Sequence, residues 1–316
     1  MIRRSLVCLA ATTLLAACAK EAPPPPAAQE AAPPAAEPAP APPPVAERNV
    51  HPFNIGALQA FALRDGGLTV PNDGKTLAVG QPTEAVAKLL ASAGLSTTEL
   101  SLSVQPLLVK SGDRVLLFDT GAGKNMGPGA GKLGASLQEA GVAPSSVTDI
   151  FISHAHGDHV GGLTGADGAL AFPNAKVHLT AAEWASLKGM KEQAALVAAI
   201  TPRVDAFRPG SQIVPGVVKA VEIKGHTPGH SGYLIGSGSD TLLYVGDTVH
   251  HSVISVQEPD WTIAFDGDAP TAQKSRKDIL ATSAASGQRI YAVHFPFPGL
   301  GKFVRQGEHF VWMPEE

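Results

Sequence analysis

Four side chains able to bind a metal ion fall within six residues, His154-Ala155-His156-Gly157-Asp158-His159. They cannot share one face of a regular strand or helix, so this segment must turn. Gly157 inside it permits a turn that brings several of them to one small volume. Imidazole and carboxylate donors of this kind suit Zn²⁺ and also accept Mn, Co or Fe. A metal so held activates water and polarises a substrate oxygen, giving hydrolysis without a serine or cysteine nucleophile. Further candidate donors recur downstream in Gly225-His226, at His230, in Gly246-Asp247 and at His294. Taken singly, each reads as an ordinary loop residue. Together they place nitrogen and oxygen donors repeatedly after apolar runs, where loops from separate strands can meet.

The elements that must position these residues are legible as short apolar segments. Strands are expected over 149–153, 217–223, 241–245 and 290–293, each just before one of the donors. Residues 103–109 and 114–118 read as paired strands around Ser111-Gly112-Asp113. Residues 176–179 read as a strand followed by a helix over 181–188. Further helices are expected over 132–140 and 271–286, the latter with Pro270 near its first turn. Mixed strands and helices of this kind predict sheets covered by helices, an α/β-type layered domain.

Of the 316 residues, 44% are hydrophobic and only 16% charged, which excludes a wholly disordered chain and a highly charged nucleic-acid binder. A formal net charge of −4 gives no reason to expect nucleic acid as a partner. The two cysteines, Cys8 and Cys18, leave the rest of the chain without a disulfide framework or a cysteine metal site. Arg3 and Arg4 before an apolar run over 6–17 read as an export signal. Leu15-Ala16-Ala17-Cys18 resembles the bacterial lipobox, which implies a lipid on Cys18 and membrane attachment. The alternative is an ordinary secretory signal cut near Ala19. Residues 22–45 hold eleven of the 27 prolines and favour an extended spacer over helix or strand. The expected organisation is a signal peptide over 1–17, a Pro/Ala-rich linker over 18–50 and a folded domain over 51–316. The expected location is periplasmic or at the cell surface, with the outer membrane favoured.

With these motifs in order, the sequence resembles the metallo-β-lactamase superfamily, and most closely its methyl parathion hydrolase group. The resemblance rests on Phe118-Asp119-Thr120-Gly121-Ala122, the run 154–159, His159-Val160-Gly161-Gly162-Leu163, Phe172-Pro173-Asn174-Ala175, Gly225–His230, Gly246-Asp247 and the stretch 294–301. It implies an αββα sandwich (α+β, four-layer) with two divalent metal ions at the sheet edge. Carried over, His154, His156 and His226 would hold the first metal, Asp158, His159 and His294 the second, and Asp247 would bridge them. His230 would stand behind the ligands. Asp119 would orient a ligand, or else cap the turn before Gly121.

Two metals sharing a hydroxide of near-neutral pKa imply hydrolysis of a small ester-like substrate, an organophosphate triester or aryl ester. Asp247 would bridge, and Asp158 could also carry a proton to the leaving group. An acyl-homoserine lactone is the main alternative substrate. A glyoxalase II-like thioesterase and a non-catalytic metal-binding surface lipoprotein stand behind it. For the thioesterase, Lys302 and Arg305 are the candidate basic residues. A homodimer is left open. Trp184, Trp261, Phe265, Phe295 and Phe297 are candidates for an apolar substrate pocket, with Phe295 and Phe297 favoured because they flank His294. His250 and His251 face either the cavity or the surface.

Overall fold

The computed structural model describes residues 48–315, so the expected export signal, Cys18 and nearly all of the proline- and alanine-rich stretch lie outside the described residues. The described chain begins with β1 (Val50–Ile55), β2 (Leu58–Leu63), β3 (Gly66–Pro71), α1 (Thr83–Ser92) and β4 (Glu99–Val104). The first half continues with β5 (Leu107–Ser111), β6 (Arg114–Phe118), α2 (Leu133–Glu139), β7 (Asp149–Phe151) and the single turn α3 (Gly157–Val160). It closes with β8 (Lys176–Thr180), α4 (Ala181–Gly189), α5 (Ala194–Ile200) and β9 (Val204–Phe207). The second half starts with β10 (Gln212–Val214), β11 (Val218–Glu222), β12 (Ser231–Ser237), β13 (Asp240–Tyr244) and α6 (Ile254–Gln257). It ends with α7 (Ala269–Ser286), β14 (Arg289–Tyr291), β15 (Leu300–Gln306) and β16 (His309–Pro314).

Two seven-stranded sheets result, in the orders β1-β2-β5-β6-β7-β8-β9 and β10-β11-β12-β13-β14-β15-β16, with β3 and β4 forming a small third sheet. Strands β6 to β9 run parallel, as do β13 and β14; the remaining neighbours are antiparallel. Alternation along the strands sorts side chains into layers. On β6, Leu117 packs with Leu137 of α2 and Leu187 of α4, while Leu116 and Phe118 face the second sheet. On β13, Leu243 packs with Leu280 of α7, while Leu242 and Tyr244 face the first sheet. The core therefore has three apolar seams between four layers, helix, sheet, sheet, helix, as the sequence resemblance implied. Aromatic rings span the central seam, with Phe118 stacked on Phe151 at 4.8 Å and edge-on to Tyr233 at 5.6 Å.

The expected strand over 103–109 is two strands. Proline lacks the N–H a central ladder needs, and at Gln105-Pro106 the chain leaves β4 in the small sheet and enters β5 in the large one. β5 pairs with β6 around the expected turn, Ser111 opposite Arg114.

Candidate metal centre

The donor-rich run follows β7 directly and is fixed from the end of β6. Asp119 there takes a left-handed backbone, φ 57°, which is costly for a residue with a Cβ. Its carboxylate repays that strain locally. One oxygen accepts from the Ser153 amide, and the other from the Ser153 hydroxyl, the Tyr244 hydroxyl and His159 Nδ1, all at 2.7 Å. The turn at 119–123 then lies backbone to backbone on the segment 159–162. A Cβ at Gly161 would stand 2.1 Å from the Ala122 carbonyl, and one at Gly162 2.0 Å from that of Thr120. Only glycine fits there. Both motif stretches thus lock each other, and Asp119 is an orienting residue rather than a simple turn cap.

The second half supplies its donors from three separate strand ends, each with its own tether. His226, after β11, shares a hydrogen bond between Nδ1 and Asp266 Oδ1 at 2.9 Å; Asp266 Oδ2 accepts from the fully buried Arg276 at 2.8 Å. Asp247, after β13, donates its amide N–H to His230 Nε2 at 3.0 Å, and His230 Nδ1 donates to the Ile223 carbonyl at 3.1 Å. Both His230 nitrogens are therefore engaged, leaving it no free donor atom. His294, after β14, donates from Nδ1 to the Ser103 carbonyl at 2.7 Å. Glu183 of α4 joins the halves. It accepts from the Ala155 amide on one side and from Thr227 Oγ1 and the Gly229 amide on the other, each at 2.8 Å.

Seven donor residues thus fall in two groups: His154, His156, His226 and Asp247 in one, and Asp158, His159 and His294 in the other. In the first group, His154 Nε2 lies 3.0 Å from His156 Nδ1, and His226 Nε2 lies 3.1 Å from each. Asp247 Oδ2 stands 3.6 and 3.3 Å from His154 and His226. In the second, His159 Nε2 and His294 Nε2 lie 3.6 and 3.5 Å from Asp158 Oδ2 and 3.1 and 3.0 Å from Asp247 Oδ1. Asp247 thus offers one oxygen to each group.

The fit to divalent cations follows from these distances. A tetrahedron with metal–ligand bonds of about 2.1 Å has edges of about 3.4 Å, which the observed spacings bracket. His159 Nε2 and Asp247 Oδ1 are buried without a hydrogen-bond partner, although both point into the cluster. The electrostatics ask for positive charge at the same place. Burial pushes His226 down, yet hydrogen bonds and charge from Asp247 and Asp266 outweigh it and hold the ring at about 9. Burial likewise opposes protonation of His159 and His294, and the nearby carboxylates again raise both. Burial also opposes ionisation of Asp247, but the surrounding imidazoles hold its carboxyl well below the usual range. Burial and the neighbouring imidazoles push His154 and His156 down instead. Positive charge is therefore favoured at His159, His226 and His294, which the carboxylates hold up, and neutral imidazole donors stand beside them.

A cleft of about 510 Å³ opens over the cluster, within the range of small-molecule sites. Its apolar wall is formed by Leu68, Leu102, Met126, Ala264 and Phe265. Among the five aromatic candidates, only Phe265 lines this cleft. Phe295 turns into the second sheet's outer core against Trp312 at 4.9 Å, and Phe297 packs under Arg64 at 4.5 Å. His294 sits in the turn between β14 and β15, where the chain carries Phe295 into the outer core and Phe297 into the seam between the sheets, so flanking His294 in sequence did not place them beside it. Trp184 and Trp261 belong to separate apolar clusters. His250 does line the cleft, with Nε2 3.2 Å from Asp247 Oδ2, and burial pushes the ring down to about 4. His251 instead accepts from the Val253 and Ile254 amides at the start of α6. Glu183, Asp266 and Arg276 were not identified from sequence.

A family model described as the metallo-beta-lactamase superfamily matches residues 102–291. Among solved structures, AidC, a dizinc quorum-quenching lactonase with bound N-hexanoyl-homoserine product, is 30% identical. It superposes with TM-score 0.79 over 85% of this chain and 98% of that one. AbOPH, a hydrolase of the β-lactamase superfamily, is 27% identical with TM-score 0.76, over 85% and 98%. Among curated relatives, a probable metallo-hydrolase of Mycobacterium tuberculosis is 27% identical over 191 residues, 48% of this chain; the match spans 58% of that relative's length. With a family model covering more than half its length, this chain belongs to the metallo-β-lactamase superfamily.

Proposed function

We propose that the protein is a binuclear metal-dependent hydrolase of small neutral esters, with N-acyl homoserine lactones as its substrate class. The observation that carries this reading is the division of Asp247 between two donor groups at the base of an apolar cleft. His154, His156 and His226 would hold one cation, Asp158, His159 and His294 the other, and Asp247 both. When bound, such a pair supplies an activated water at neutral pH and polarises the ester oxygen.

The chain's own side chains set the rest. Asp158, 18% exposed at the cleft, is the carboxylate able to return a proton to the leaving alkoxide oxygen. His250, its ring pushed down to about 4 by burial, lines the cleft beside Asp247 and offers an N–H to the substrate's carbonyl oxygen. No lysine or arginine is among the residues lining the cleft, which favours a neutral substrate over an anionic one. Lys302 lines a separate groove, and Arg305 lies over Phe310, so neither supports a glutathione thioester. The likeness to AidC moves the reading from a phosphotriester or aryl ester toward a lactone.

The test is kcat/KM of the zinc-loaded protein for a medium- or long-chain acyl homoserine lactone and an aryl phosphotriester, measured side by side. A lactone preference above about 100-fold, roughly 2.7 kcal/mol of transition-state discrimination, is expected. The reverse preference would return the reading to organophosphates. Attachment through Cys18 and export to the cell surface are likewise proposed; metabolic labelling with palmitate, lost in Cys18→Ala, is the check.

A further inference from the structure

Gln105 is fully buried at the point where the chain passes from β4 into β5, and every polar atom of its side chain is used. Its amide nitrogen donates to the Ala292 and Phe295 carbonyls at 2.8 and 3.0 Å, and its oxygen accepts from the Ser103 hydroxyl at 2.9 Å. Two carbonyl acceptors fix which end of the amide carries the N–H groups. The bracketed segment, 292–295, contains His294. Ser103 grips the same residue through its backbone, accepting from His294 Nδ1 at 2.7 Å and donating its N–H to the His294 carbonyl at 3.1 Å. Space is reserved for this arrangement, since a Cβ at Gly299 would stand 2.1 Å from the Gln105 amide nitrogen.

We propose that Gln105 and Ser103 are positioning residues that aim His294 Nε2 at the second donor group and thereby set how tightly that group holds its cation. The proposal rests on the binuclear reading above. Its physical basis is that a hydrogen bond to the remote ring nitrogen fixes both tautomer and ring orientation of an imidazole donor. Here the tether is a neutral carbonyl, whose own position depends on Gln105. Leu102, the residue before Ser103, lines the cleft, so one strand both touches the substrate space and holds a donor.

The experiment dialyses the zinc-loaded full chain against graded concentrations of a competing chelator and measures retained zinc. It compares the native protein with Gln105→Met, Ser103→Ala and Asp266→Asn. The native chain is expected to lose zinc in two steps. Gln105→Met should weaken one step by about 10–100-fold and leave the other within about twofold. Asp266→Asn, which acts on His226, should weaken the opposite step. Ser103→Ala retains the backbone carbonyl and the fold and should move the same step as Gln105→Met by a smaller factor; it decides the matter if Gln105→Met does not fold. Both steps shifting together, or neither shifting, overturns the positioning role while leaving two zinc ions in place. A native chain retaining fewer than two zinc ions overturns the binuclear reading and this inference with it.

Discussion

The first half of the molecule places four candidate donors from one six-residue run after β7, whereas the second half places three from separate loops after β11, β13 and β14. The run is held collectively. Asp119 alone accepts four hydrogen bonds, two from Ser153, one from His159 and one from Tyr244, and Gly161 and Gly162 press the following segment onto the 119–123 turn. In the second half each donor has an individual partner: Asp266 for His226, His230 for Asp247, Ser103 for His294. A defect in the collective half therefore spreads to several donors. A defect in the other half stays with one, except at Asp247, whose oxygens serve both groups.

That exception gives the largest expected effect. Asp247→Ala should lower kcat/KM by more than about 10³-fold, roughly 4 kcal/mol, and retained zinc should fall below two ions. Full activity with a single zinc would remove the two-metal mechanism. Asp119→Asn comes next. Either orientation of the amide turns its NH₂ toward an existing donor, the Ser153 amide or the His159, Tyr244 and Ser153 groups. The expected cost is about 2–4 kcal/mol of stability, with zinc loss advanced in both steps because the shared run moves. Selective loss in one step would contradict collective support.

The same difference governs what could be read from the sequence. The run 154–159 is contiguous, so its donors stood out before any fold was known, and all seven donors expected from the family resemblance lie in the two groups. Their individual tethers are another matter. Asp266 lies 40 residues from His226, Ser103 lies 191 from His294, and Gln105 lies 187 from Ala292. No local spacing marks such pairs. Strands β1, β2, β3, β9, β10, β12, β15 and β16 were not identified either; β2 is largely buried and β12 lies between β11 and β13, while the others stand at or toward a sheet edge. There one face meets solvent and apolar runs are interrupted, as in β15 with its exposed Lys302, Val304 and Arg305. Of the strands leading into the site, β7, β13 and β14 read as short apolar segments and β11 alternates around Lys219, and all four were found with their ends within a few residues.

Asp266→Asn tests the individual half. It weakens the support of His226 and leaves the buried Arg276 cation facing a neutral amide. Zinc affinity in one step should fall by about 10–100-fold while the other step is held within about twofold. The variant should also be less stable, since a buried charge has lost its counterion. Equal weakening of both steps would show that the second half is as collective as the first.

Glu183 gives the smallest expected effect and tests the seam between the halves. Thr180 and Glu183 have the spacing of a capping box, and the Thr180 hydroxyl does accept from the Glu183 amide at the start of α4. In such a box the acidic side chain reaches back to its own helix, and glutamine serves there as well as glutamate. In this protein it reaches away, spending both oxygens on the Ala155 amide, the Thr227 hydroxyl and the Gly229 amide. Glutamine cannot accept all three, because its NH₂ must face an N–H donor. Glu183→Gln should therefore cost about 1–3 kcal/mol, lowering Tm by roughly 2–4 °C per kcal/mol for a domain of this size. The loss of kcat/KM should stay below about tenfold, and amide exchange should quicken at Ala155 and Gly229 rather than in α4. An unchanged Tm would mean that Glu183 acts only as a helix cap, and that the two donor loops hold their separation without it.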